Sequence, residues 1–111
     1  MTVGLPVRDL ALAWDWYARV FELSAPDLQP AEGVIEFRLG GVWLQLWEST
    51  AAGAGGGTVP RFGVPDVRRE RDRLLGLGVA VGPVEHVPDA VDYVDVVDPD
   101  GNELSLYSEL G

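Results

Sequence analysis

The sequence predicts an α+β fold made of two consecutive βαβββ modules, and an internal repeat is the main reason. Shifted by 57 positions, residues 5–9 fall on residues 62–66, and in both copies a strand runs into an aspartate that can cap a helix. Shifted by 60 positions, residues 41–47 fall on residues 101–107, so a turn and a strand also recur. Two such modules bury their sheets by curling towards each other, which predicts a curved mixed sheet around a cleft.

The first half shows a strand, a helix and a hairpin. "TVGLPV" alternates towards Val3, Leu5 and Val7, and Asp9 is placed to cap a helix over residues 10–21. The apolar residues at helical spacing on that helix are Leu10, Trp14, Tyr17 and Phe21. A breaker-rich connection, "SAPDLQPAEG", then precedes the strands "VIEFRL" and "VWLQLWES", which Gly40 and Gly41 join as a two-residue hairpin.

The second half repeats this order after a glycine-rich segment. "TAAGAGGGT" is small and flexible, so we expect a linker over residues 50–58 between a first module, residues 1–49, and a second module, residues 59–111. "VPRFGV" is a short strand, and Asp66 is placed to cap a helix over residues 67–77 whose outer face is basic.

Size and charge limit the class of protein. A chain of 111 residues is one domain near the lower end of comfortable stability, where dimerisation often adds buried surface. The net charge of -10 argues against nucleic acid and anionic membranes as partners and favours cations. Cysteine is absent, which excludes disulfides and thiolate chemistry. The first residues lack the pattern of a signal peptide, so we expect a cytoplasmic protein.

Three motifs give the chain a resemblance to a known superfamily. They are "LPVRDL" at residues 5–10, "WYARVFEL" at residues 16–23 and "DPDGNELSL" at residues 98–106. With them the chain resembles the vicinal oxygen chelate superfamily, which contains glyoxalase I, extradiol dioxygenases, and fosfomycin and bleomycin resistance proteins. The resemblance implies the glyoxalase/bleomycin resistance fold over the whole chain. Glu22 stands where the family usually has glycine, a departure at the end of a helix and outside the site.

Alternation along two strands predicts the residues that bind a ligand. In "VWLQLWE" and "NELSLY" the leucines should face the helices, which leaves six side chains on the opposite, concave face of the sheets. Aromatic side chains are also common in a hydrophobic core or a dimer interface. The polar side chains that alternate with them here would need hydrogen-bond partners in such a setting, which favours a ligand-binding cleft. The predicted ligand-binding residues are Trp43, Gln45, Trp47, Glu103, Ser105 and Tyr107.

The resemblance also implies where a catalytic metal would bind. Metal ligands in such enzymes come from the first and last strand of each half, and those positions fall at Thr2, Gln45, Val59 or Pro60, and Ser105. Since only Gln45 is a plausible donor, we expect no metal and no other cofactor.

The remaining titratable residues are weaker candidates. His86 has no obvious orienting neighbour in sequence, which predicts a surface residue rather than a base. Asp98 and Asp100 are expected to build a turn by bonding their own backbone, while Asp92 and Asp95 would add negative charge near the mouth of the cleft.

Three functions are compatible with this pattern. The first is a non-catalytic, metal-free binder of a small aromatic or cationic molecule, similar to bleomycin resistance proteins. The second is a metal-dependent enzyme of the lactoylglutathione lyase, isomerase or dioxygenase type with a non-standard site. The third is a dimerising interaction module with no ligand. Family resemblance implies a homodimer in each case.

Overall fold

The computed structural model describes residues 2–39, 41–50 and 59–109, and the chain divides into two compact units. The first unit comprises Met1–Thr58 and Pro99–Asn102, and the second comprises Val59–Asp98 and Glu103–Gly111. Apart from Thr50, the predicted glycine-rich linker lies outside the described residues.

The first unit is one βαβββ module. Its elements are β1 (Thr2–Val7), α1 (Leu10–Phe21), β2 (Leu28–Ala31), β3 (Val34–Leu39) and β4 (Val42–Glu48). The strand order in its sheet is β1-β4-β3-β2, with β1 parallel to β4 and the other neighbours antiparallel. Leu39 pairs with Val42, the register of the predicted two-residue hairpin, although Gly40 itself lies outside the described residues.

The second unit repeats this topology, except that two short strands take the place of one at the edge of its sheet. Its elements are β5 (Arg61–Gly63), α2 (Val67–Gly76), β6 (Ala80–Val81), β7 (Glu85–Val87), β8 (Val91–Val97) and β9 (Glu103–Glu109). The strand order is β5-β9-β8-β6, with β7 also paired to β8, and β5 is parallel to β9 as β1 is to β4. The predicted tandem βαβββ architecture is confirmed. The cleft that the two sheets were expected to enclose stays a prediction.

Backbone donors at the start of α1 are satisfied by two carboxylates. Asp9 is the N-cap, and its side chain accepts a hydrogen bond from the backbone N–H of Leu12 at 3.1 Å. Glu48, at the end of β4, accepts from the N–H of Leu10 at 3.3 Å. Glu22 caps the other end in the left-handed conformation, φ 57°, which explains the usual glycine there: a residue without Cβ adopts it at no steric cost.

The two helices cover the leucine faces of β4 and β9, as the alternation predicts. Leu44, Leu46 and Leu104 are completely buried, and Leu106 is nearly so. On α1 the buried face differs from the predicted stripe, because Leu10, Trp14 and Phe21 are only half-buried. The buried residues of that helix are Ala13, Trp16, Tyr17 and Val20.

The sequence did not predict β2, which lies in the segment interpreted as a connection. All four of its residues are exposed, and its pairing with β3 is irregular. Because an exposed edge strand buries no side chains, it leaves no alternating hydrophobic pattern, and Pro30 makes the segment read as a loop. The predicted end of the second helix was also one residue late, since Leu77 is the C-cap.

The turn at Pro99–Asn102 makes its side-chain bonds to the corner between β1 and α1. Asn102 donates its side-chain amide to the carbonyl of Pro6 at 3.0 Å, and Asp100 accepts from the N–H of Arg8 at 3.1 Å. The prediction that these aspartates bond their own backbone therefore misses the partner of Asp100. Neither helix of the described residues is long and apolar enough to cross a membrane.

Candidate ligand-binding faces

Each sheet has one face turned away from its helix, and the predicted ligand-binding residues lie on these two faces. We call the first polar face the side of the first sheet that carries Trp43, Gln45 and Trp47. The second polar face is the side of the second sheet that carries Glu103, Ser105 and Tyr107. The structure thus brings the six residues together as two sets of three, one on β4 and one on β9.

Gln45 lies at the centre of the first polar face. It pairs with Gly4 of β1 on one side and with Glu36 of β3 on the other. Its side-chain amide donates to the carboxylate of Glu36 at 2.9 Å. The amide oxygen is therefore left as the free acceptor of this half-buried side chain. Glu36 therefore fixes the orientation of Gln45, the one plausible donor among the metal-ligand positions that the resemblance implies.

Trp47 provides an accessible aromatic ring beside this pair. Its indole lies over Gly4, since a Cβ at Gly4 would be 3.5 Å from the indole Nε1. Its exposed fraction is 38%. Trp43 on the same face is half-buried and pairs with Thr2 and Arg38. An aromatic ring next to a carboxylate and an amide oxygen is suited to stacking and to contact with a cation.

Ser105 lies at the centre of the second polar face, in the position that Gln45 has in the first. It pairs with Arg61 of β5 and with Asp95 of β8. Its side chain is completely buried, at 0% exposure, and Oγ has no hydrogen-bond partner within the described residues. Buried hydroxyls are usually hydrogen-bonded, so the Ser105 hydroxyl is an unsatisfied buried polar group.

Tyr107 borders an open pocket of about 430 Å³ in the second unit. The ring packs closely on Gly63, because a Cβ there would be 3.3 Å from the tyrosine Cζ and Oη. The pocket is lined by Gly63, Val64, Pro65, Tyr107 and Glu109. Glu109 is absent from the predicted site, although the alternation of Glu103, Ser105 and Tyr107 points to it if continued by one step.

The positions at which the resemblance implies metal ligands do not fit a divalent metal. They offer the hydroxyl of Thr2, the amide oxygen of Gln45 and the hydroxyl of Ser105, and the carbonyl of Pro60 already accepts from the N–H of Ser105 at 2.9 Å. Divalent metals in proteins favour imidazole and carboxylate ligands, of which this set has none. Across the described residues, no group of three or more His, Cys, Asp or Glu side chains is arranged to hold a metal ion.

His86 has a partner that the sequence did not reveal. Its Nδ1 lies 2.6 Å from Oδ1 of Asp92, and Oδ2 of the same carboxylate lies 3.5 Å from the guanidinium of Arg68 on α2. The hydrogen bond to His86 lowers the pKa of the Asp92 carboxyl below its ordinary value; partial burial opposes this, and the charge of Arg68 supports it.

Asp92 and Asp95, which were both predicted to add charge near the mouth of the cleft, lie on opposite sides of β8. Asp92 alternates with Tyr93 and shares the helix side of β8 with Val94 and Val96, which are buried. Asp95 is exposed on the second polar face. Only Asp95 therefore adds charge to a predicted ligand-binding face, whereas Asp92 joins β7, β8 and α2.

Comparisons with known proteins identify the fold. No protein-family model and no curated protein sequence matches the chain. A fosfomycin resistance protein from Listeria monocytogenes matches with a TM-score of 0.81 at 18% identity, over 99% of this chain and 92% of that one. An antibiotic-binding protein from a Streptomyces species matches with a TM-score of 0.75 at 24% identity, over 98% and 93%.

A lactoylglutathione lyase from Agrobacterium tumefaciens matches with a TM-score of 0.76 at 22% identity, over 97% of this chain and 91% of that one. An antibiotic-binding protein, a fosfomycin resistance protein and a lyase therefore share this architecture, so the fold does not by itself assign an activity. The chain has the glyoxalase/bleomycin resistance fold.

Proposed function

We propose that the protein is a non-catalytic, metal-free binder of a small aromatic cation, and that it works as a homodimer. The observation that carries the proposal is Trp47, whose partly exposed indole lies beside the Gln45–Glu36 pair. Such a group offers a stacking surface, one free acceptor and a nearby negative charge.

The charge of the second polar face supports a cationic ligand. Tyr107 has carboxylates on its own strand at Glu103 and Glu109, and Asp95 lies on the neighbouring strand. Arg61 is the basic residue of β5 on this face. Acidic groups therefore outnumber basic ones among these residues of the second polar face, and the chain as a whole carries a net charge of -10.

The side chains at the positions equivalent to metal ligands support ligand binding without a metal. An enzyme of this fold that used a divalent ion would need several strong ligands, and the equivalent positions here provide hydroxyls and one amide. The antibiotic-binding protein of the same fold gives a precedent for binding small molecules, although what that protein binds is not carried over to this chain.

The test is calorimetric titration with N-methylquinolinium, a flat aromatic cation, and with quinoline, its uncharged counterpart near neutral pH. We expect the cation to bind and Trp47→Ala to weaken its binding by about three- to thirtyfold, since a cation–π contact contributes roughly 0.5–2 kcal/mol. Trp47→Phe should retain most of the affinity. Leu75→Ala, which truncates an exposed apolar side chain on α2, is the control and should bind as the wild type does.

Two results would contradict the proposal. If neither N-methylquinolinium nor any other member of a panel of aromatic cations binds the wild type, the aromatic faces serve another purpose, such as the interaction module. If the purified protein contains about one equivalent of divalent metal by elemental analysis and loses an activity on chelation, it is an enzyme with a non-standard site.

A further inference from the structure

Gly4 leaves a small open notch in the first polar face. The residue is exposed and pairs with Gln45, so solvent reaches the surface above it at the middle of this face. The neighbouring residues on the same side of β1 are Thr2 and Pro6, and both carry side chains. We call the space above Gly4, where a Cβ would otherwise lie, the Gly4 notch.

A hydrogen-bond donor and an acceptor border the Gly4 notch. A Cβ at Gly4 would be 3.5 Å from the indole Nε1 of Trp47 and 3.9 Å from the amide Oε1 of Gln45. Within the part of the chain that the structure describes, neither of these two atoms has a hydrogen-bond partner. Since an indole N–H donates and an amide oxygen accepts, the notch presents one free group of each kind.

Glu36 determines which end of the Gln45 amide faces the notch. Gln45 lies between Gly4 on β1 and Glu36 on β3 in the pairing of the three strands. Because a carboxylate only accepts hydrogen bonds, the amide nitrogen of Gln45 turns towards Glu36, to which it donates at 2.9 Å. The amide oxygen is thereby held on the side of Gly4. The acceptor at the notch is fixed by a carboxylate two strands away from the glycine.

We propose that the Gly4 notch selects ligands that carry a carboxamide. This group has a carbonyl oxygen next to an N–H, which is the complement of the notch: the oxygen accepts from the Trp47 indole, and the N–H donates to the Gln45 oxygen. A ketone or an ester supplies the first of these bonds but not the second. The ligand class is therefore an aromatic cation that bears a carboxamide.

This inference rests on the proposed function and adds the chemistry that distinguishes one ligand from another. Stacking and overall charge attract any flat cation, because neither depends on where the ligand places a donor. A hydrogen bond does depend on it, and a ligand that covers the Gln45 oxygen without donating to it leaves that oxygen unpaired. In this site Gly4 makes room for the carboxamide, while Trp47 and Gln45 bind it.

Calorimetric titration with three matched quinolinium cations tests the notch. They are N-methylquinolinium, the N-carbamoylmethyl analogue, which carries a primary carboxamide on the methyl carbon, and the N-acetonyl analogue, in which a methyl group replaces the amino group of that carboxamide. The methylene link lets the ring lie on the face of the Trp47 indole while the amide reaches over its edge. We expect the carbamoylmethyl cation to bind about three- to tenfold more tightly than the acetonyl cation, since only the carboxamide donates to Gln45.

Two variants should remove this selectivity. In Gly4→Ala the added methyl group lies at ordinary van der Waals distances from Trp47 and Gln45, so it fits the fold and occupies the notch. Glu36→Gln lets the Gln45 amide turn round, because the new side chain both donates and accepts. Each should bring the ratio of the two affinities to about one, and the ratio cancels the loss of the Glu36 charge. Gly41→Ala is the control and should keep the wild-type ratio, since an added Cβ there meets no atom of the described residues within 4 Å.

The outcomes separate this inference from the proposed function. If the carbamoylmethyl and acetonyl cations bind the wild type equally, or if either folded variant keeps the wild-type ratio, the notch does not select the ligand and the inference is wrong. Binding of N-methylquinolinium would then still support the proposed function. If none of the three cations binds, the inference is wrong, and the wider panel of aromatic cations decides the proposed function. Circular dichroism shows whether the variants fold.

Discussion

The hydroxyl of Ser105 is the least satisfied polar group that the structure describes. It is completely buried, yet its Oγ has no hydrogen-bond partner among the described residues. Leaving a buried hydroxyl unpaired costs roughly 1–3 kcal/mol relative to water. The resemblance noted in the sequence implies a metal ligand at this position, and a serine hydroxyl is a poor one.

Replacing this hydroxyl should therefore stabilise the protein. We expect Ser105→Ala to raise the free energy of unfolding by about 1 kcal/mol, because the unpaired oxygen disappears and little volume is lost. Urea denaturation measures the change. Ser108→Ala is the matched control on the same strand: its hydroxyl accepts from the N–H of Val67 at 3.3 Å, so its loss should lower stability by about the same amount. A less stable Ser105→Ala would show that the hydroxyl has a partner.

At this scale the sequence predicts which face a side chain occupies but not what it contacts. Alternation placed Gln45 opposite Leu44 and Leu46 correctly, because a strand has only two sides. The bond from Gln45 to Glu36 depends on the register between two strands, which alternation alone does not specify.

Among the elements, the corner between β1 and α1 explains the most recognisable motif of the chain. The turn that contains Asp100 and Asn102 makes two hydrogen bonds to this corner. Asp100 and its partner Arg8 are 92 positions apart in the sequence. Glu48 supplies a third to the first turn of α1. The sequence predicts the turn from its composition, but a contact over such a separation leaves no local signal.

The carboxylate of Asp92 joins three elements of the second unit, since it lies on β8, bonds His86 on β7 and faces Arg68 on α2. Its pKa is lowered by these partners, so its contribution to stability is present above the ordinary pKa of an aspartate and is lost as pH falls through the lowered value. Asp92→Asn should therefore lower the melting temperature near neutral pH.

Thermal unfolding of the wild type and Asp92→Asn at several pH values checks this sign. The difference between the two proteins should shrink below about pH 4 and vanish in stronger acid. Asp95→Asn is the control, because that exposed side chain has no ion-pair partner within the described part of the chain. If the difference in melting temperature is the same at every pH, the packing of the Asp92 side chain, and not its charge, contributes to stability.

For the whole molecule, the internal repeat predicted the architecture because both copies kept the residues that begin and end each module. The strand before each capping aspartate and the strand after each glycine turn were confirmed as β1 and β5, and as β4 and β9. The outer strands were not predicted in detail: β2, β6 and β7 are short and mostly exposed, so no buried pattern constrains their sequences.

The net charge of -10 makes the affinity for a cationic ligand depend on salt. Raising the ionic strength from about 0.01 M to about 1 M shortens the screening length from roughly 30 Å to roughly 3 Å, which removes the attraction of all but the nearest carboxylates. We expect the affinity for N-methylquinolinium to fall about fivefold or more, while any binding of uncharged quinoline stays constant or strengthens slightly. Calorimetric titrations at the two salt concentrations make the comparison. Equal responses of the two probes would show that stacking on the aromatic rings, and not the acidic charge, selects the ligand.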